Sequence, residues 1–112
     1  MSLDDAVQTV VSSCMKVQQG EKVVIVTDRQ SIKIAKKIRE ALFEKTRHVR
    51  FFNLDIYGKR PLNSLPERVE NEAKEATATF FIAKSIKGEL DSVRLPLIQA
   101  GVLSGRHAHM IG

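Results

Sequence analysis

The stretch Lys22-Val23-Val24-Ile25-Val26-Thr27-Asp28 decides the fold class. Four consecutive β-branched residues favour extended backbone. The run does not alternate with polar residues, so both faces of the strand must be covered. That is the signature of a central strand in a parallel sheet.

Working outward, helix and strand patterns alternate. Upstream, Leu3, Ala6, Val7, Val10, Val11, Cys14 and Val17 fall at helical spacing, and Gln19-Gly20 ends that amphipathic helix. Downstream, Asp28 and Ser31 are cap candidates for a helix with the apolar stripe Ile34, Ala35, Ile38, Ala41 and Leu42. A second strand is predicted at about Val49 to Leu54, with Phe51 and Phe52 inside it. Asp55 to Asn63 contains Gly58 and Pro61 and reads as an exposed loop. Ser64-Leu65-Pro66-Glu67 reads as a capping box opening a third helix, whose stripe is Leu65, Val69, Ala73 and Ala76. Thr77 to Ala83 is a third strand around Phe80-Phe81-Ile82. Asp91 or Ser92 could cap a helix running to Ala100 with Gly101 as its stop, shortened or kinked by Pro96. Gly105 to Ile111 is the last predicted strand.

Strands separated by helices pair in parallel through right-handed crossovers. The expectation is a single α/β domain over residues 1–112, in three layers. Its mostly parallel four-stranded sheet has the order 2-1-3-4, Rossmann-like or flavodoxin-like, with helices on both faces. In such sheets ligands gather at the carboxyl ends of the strands.

Composition narrows the function classes. Lys plus Arg number 18 and Asp plus Glu 13 in 112 residues, a net charge of +5. No apolar run approaches the ~18 residues that a membrane span needs. Asp4 and Asp5 stand where a signal peptide would be basic, and Cys14 is the only cysteine. Both fit a reducing cytoplasm. Cys14 lies on an apolar stripe and reads as a core thiol.

The net charge sits between residues 33 and 50, where Lys33, Lys36, Lys37, Arg39, Lys45, Arg47 and Arg50 face only Glu40 and Glu44. A basic patch of Lys33, Lys36, Lys37, Arg39, Arg47 and Arg50 could bind an anionic ligand or nucleic acid. No aromatic platform or binding motif accompanies it, so a solvated helix face is the favoured reading.

The turn Thr27-Asp28-Arg29-Gln30-Ser31 has no glycine, which excludes a dinucleotide fingerprint and a Walker loop. Asp28, Arg29 and Ser31 remain candidates for holding a polar ligand at a strand end. Lys84, Ser85 and Lys87 follow the third strand and could face an anion. His107 and His109 lie on one face of a strand and could be a metal half-site, but no further ligand is placed, so ordinary strand histidines are favoured. Tyr57 with Lys59 and Arg60 marks a weak contact surface in the long loop. No nucleophile–base pair and no paired carboxylates emerge, so no self-contained active site is expected.

Several stretches together resemble the aminopeptidase T family of metallopeptidases. They are Asp4-Asp5-Ala6-Val7, Cys14-Met15-Lys16-Val17 with Gly20-Glu21-Lys22 leading into the first strand, Phe80 to Ile86, and Gly101 to Gly112. The resemblance covers almost the whole chain, yet family members are much longer. It implies a non-catalytic N-terminal domain that helps shape a substrate cavity. It also implies contact with a C-terminal peptidase domain or a second subunit, as in a homo-oligomer. No cofactor is expected in this chain. Zinc, cobalt or manganese is implied only for a parent enzyme, whose ligands cannot be placed here. On that reading the chain is a truncated piece or a reduced relative, and the loops after Val26, Leu54 and Ile82 face the missing part. The alternatives are a stand-alone flavodoxin-like binding or regulatory module, and a basic-helix binder of anions or nucleic acid.

Overall fold

The computed structural model describes residues 19–84, 86–104 and 106–110, with side chains described for 19–84, 86–89 and 92–100. The predicted N-terminal helix, Cys14 and Ser85 lie outside the described residues.

The heart of the molecule is a parallel sheet of β1 (Val23–Thr27), β2 (Val49–Asn53) and β3 (Ala78–Ile82), ordered β2-β1-β3. A further segment, β4 (Arg106–Met110), pairs in parallel along β3. The connections are α1 (Ile32–Phe43), α2 (Glu67–Glu75) and α3 (Leu95–Ser104). From β1 the chain steps one way to β2, then passes back over β1 to β3. Right-handed crossovers in opposite directions put α1 and α2 on opposite faces.

Each residue of β1 and β3 is buried because both faces are covered. Side chains alternate between the layers. Val23, Ile25, Phe80 and Ile82 pack with Ala35, Ile38 and Leu42 of α1. Val24, Val26 and Phe81 pack with Val69 and Ala73 of α2 and with Leu97 of α3. Strand β2 is only partly buried. The registers Thr27↔Asn53 and Thr27↔Ile82 bring three strand exits to one edge.

Several expectations need correction. Ser64 to Glu67 is not a capping box: Pro66 is the N-cap of α2 and Glu67 its first residue. Pro66 lacks the side-chain acceptor a capping box needs, and Glu67 is two positions too early to reach back. Ser31 is the N-cap of α1, yet its side chain makes no capping hydrogen bond. The segment after β3 opens with a π-helical turn, Leu90–Arg94, and α3 continues through Gly101 to Ser104. Ser92 does not cap that helix. Its hydroxyl donates to the carbonyls of Leu62 (2.7 Å) and Gly88 (3.1 Å). The loop after β2 begins with a 3-10 turn, Leu54–Tyr57, in which Leu54 is fully buried. Among the described residues no helix is long and apolar enough to cross a membrane.

Candidate functional site at the strand ends

Asp28 follows β1 directly, and burial leaves its carboxylate in need of partners. Its Oδ1 accepts the amide of Ser31 at 2.8 Å, and its Oδ2 accepts the amide of Lys84 at 2.8 Å. The second bond ties the exit of β1 to the exit of β3. The Thr27 hydroxyl adds another tie by donating to the Ile82 carbonyl at 2.6 Å.

Arg60 completes the arrangement. Its Nη1 donates to Asp28 Oδ2, and its Nη2 donates to Glu89 Oε1 and to the Lys84 carbonyl. Its Nε lies 3.0 and 3.1 Å from the two Glu89 oxygens. Glu89 Oε2 also accepts the Leu62 amide at 2.8 Å. The side chains of Arg60, Asp28 and Glu89 are 7%, 2% and 0% exposed, so the three charges share one water-poor crevice. Gly88 helps to seat Glu89 there: its φ of 97° is comfortable only for glycine.

Burial alone would raise the carboxyl pKa of Asp28. The Lys84 and Ser31 amides and the Arg60 guanidinium outweigh it and hold Asp28 below its ordinary value. Burial likewise pulls Arg60 down, and the hydrogen bonds of Glu89 and Asp28 outweigh it, leaving Arg60 raised. The charge-assisted bonds favour the ionised forms of Asp28 and Arg60.

Beside the crevice lies an open cleft of about 450 Å³. Asp28, Arg29 and Gln30 line it from the exit of β1, Asp55, Gly58, Lys59 and Arg60 from the segment after β2, and Ile86 from the segment after β3. Asn53 and Asp55 shape the lining after β2. The Asn53 side chain accepts the Asp55 amide at 3.0 Å, and Asp55 Oδ2 accepts the Arg29 amide at 2.7 Å.

The structure brings Asp28, Arg29, Ser31 and Lys84 to one edge, as the sequence positions suggest. Asp28 and the Lys84 main chain serve the internal network. Lys87 is exposed, and Ser85 is outside the described residues. Arg60 is corrected outright: it is the buried centre of the site and not part of an exposed contact loop. Its positive charge fits there because two carboxylates face it. Sequence reasoning missed Glu89 entirely. Its only signal was an acid after Gly88 at the entry to an apolar segment.

Lys33, Lys36 and Arg47 are exposed, Arg39 lies over the Phe51 ring at 4.5 Å, and Arg50 approaches Glu72 at 3.8 Å. Lys37 is half-buried on the same helix. His107 and His109 pair along β3 opposite Thr79 and Phe81, and their side chains lie outside the described residues.

Comparison with solved structures gives a likeness of fold. No family model matches the chain, and no curated protein sequence matches it. Among solved structures, wild-type AmpT of Thermus thermophilus, an aminopeptidase T, is similar with a TM-score of 0.62. The chain shares the fold of part of that enzyme. The alignment covers 98% of this chain and 36% of AmpT at 10% identity. At that identity the likeness concerns fold, and the chain spans little more than a third of the enzyme's length.

Proposed function

We propose that this chain is a non-catalytic domain of the kind found at the N-terminus of a metal-dependent aminopeptidase. In this role it shapes one side of a substrate cavity and contacts a C-terminal metal-binding domain or a partner subunit. One observation carries the reading: 98% of the chain aligns with 36% of AmpT. With β4 as its fourth strand, the sheet is a doubly wound, Rossmann-like or flavodoxin-like platform of order 2-1-3-4. Its carboxyl edge is where such sheets present ligand-binding loops.

The local chemistry suits a wall better than a reaction centre. Asp28 and Glu89 spend their oxygens on Arg60 and on backbone amides. Among the described residues no group of three or more His, Cys, Asp or Glu could hold a metal ion. What the edge offers is rigidity: the exits of β1 and β3 and the segment after β2 are locked together by one arginine.

The test is an aminopeptidase assay of residues 1–112 on a leucyl peptide with zinc, cobalt or manganese. No leucine release is expected. Metal-dependent release by this chain alone would overturn the reading. Sequencing the gene beyond the codon for Gly112 gives the complementary check, because the reading expects metal-ligand residues downstream.

A further inference from the structure

The sheet reverses its winding between β1 and β3, so a ligand crevice belongs between their exits. In this protein the crevice is filled from within. The Arg60 guanidinium occupies it, bonded to the Asp28 carboxylate, the Lys84 carbonyl and both oxygens of Glu89. These acceptors come from two segments, the exit of β1 and the connection after β3, and converge on one planar fork, the geometry that a guanidinium matches and an ammonium does not. Two buried carboxylates face a single cation, so the crevice keeps a net demand for positive charge.

The segment carrying Arg60 is held differently from the rest of the fold. Leu54 and Leu62 are buried at its ends, whereas Ile56, Tyr57, Gly58, Lys59 and Pro61 are exposed. Ile56 is 77% exposed. Between the two leucines, Arg60 is the one deeply inserted side chain, and its bonds, together with the 2.7 Å bond from the Arg29 amide to Asp55 Oδ2, hold the segment down. With little apolar burial of its own, the segment is released once those bonds are replaced.

We infer that the β1–β3 crevice is an alkylguanidinium-binding site, which Arg60 fills as an internal ligand, and that residues 55–61 are a strap an external alkylguanidinium can displace. The side-chain geometry carries this site independently of any aminopeptidase-like role.

The experiment uses the 112-residue chain with Arg60→Ala, titrated with ethylguanidinium and, in parallel, with ethylammonium at matched ionic strength. Thermal unfolding and the amide resonances of Lys84 and Leu62 are followed. Ethylguanidinium should raise the melting temperature and shift both resonances saturably. Ethylammonium should bind roughly tenfold more weakly or worse, because it cannot make the forked contacts. Adding Asp28→Asn should abolish the preference. If R60A is unfolded alone, ethylguanidinium should restore its fold. Equal responses to the two cations, an unsaturable response, or no rescue would each overturn the site. In the unmodified chain, ethylguanidinium and not ethylammonium should speed hydrogen exchange at the Leu62 amide. Unchanged exchange would overturn the displaceable strap.

Discussion

Replacing Arg60 with Met should destabilise the protein by about 3–5 kcal/mol at neutral pH, read from urea unfolding. The methionine roughly fills the volume of the aliphatic stem, so lost packing is a minor part. The larger part is electrostatic. Asp28 and Glu89 stay buried, and the cation that both of them face has gone. Leaving one charge of a buried pair uncompensated is far more damaging than the pair itself is stabilising. Adding Glu89→Gln to R60M should recover part of the loss, because one of the two stranded charges is then removed. A double variant no more stable than R60M would show that the loss arises elsewhere.

The pH dependence has a definite sign. In the unmodified chain Asp28 titrates below its ordinary value of 3.8. Its network therefore contributes stability that is fully present above that value. The contribution is lost as pH falls through the lowered native value. In R60M the stranded Asp28 carboxylate gains by taking up a proton. The gap between the two proteins should thus be widest near neutral pH and narrow on acidification towards pH 3. A gap of constant size would mean that packing, and not charge, carries the effect.

This network also marks the limit of what the sequence discloses. The strand Val23–Thr27 is legible because an unbroken β-branched run has few other homes. The stripe Ala35, Ile38, Ala41 and Leu42 is legible because helical period and burial agree. Asp28 could be placed at a strand end for the same reason. Its partners could not. Arg60 and Glu89 lie 32 and 29 residues from their respective partners, Asp28 and Arg60, and the contacts exist only after three segments have met. Arg60 stands in a run of exposed residues with a glycine and a proline nearby, and that local composition says loop. The capping box failed for a related reason. The motif Ser-Leu-Pro-Glu is a local pattern, yet burial of Leu65 and Val69 in the core sets where α2 begins. The stop expected at Gly101 failed, because the helix runs on through it to Ser104. A glycine costs about 1 kcal/mol in a helix and does not by itself end one.

The two Phe-Phe pairs give the second large effect, and they separate what sequence and structure each contribute. Phe51-Phe52 and Phe80-Phe81 look alike as sequence, each centred in a predicted strand. The sheet order makes them unequal. Phe80 sits in β3, flanked by β1, and is fully buried against α1 with Ile25, Ile38 and Ile82. Phe51 sits in the outer strand β2, half-buried, with its ring partly covered by the Arg39 guanidinium. Phe80→Ala should cost about 3–5 kcal/mol, because close-packed neighbours on both sides cannot collapse into the space. Phe51→Ala should cost about 1–2 kcal/mol, from its smaller buried area and the lost cation–π contact. Paired urea titrations of the two variants decide the matter. Equal losses would mean that β2 is covered on its outer side as β3 is, by a chain segment or partner that buries Phe51. The ordering Phe80 well above Phe51 would place the rigid centre of the fold on β1 and β3, the same two strands whose exits frame the arginine-filled crevice.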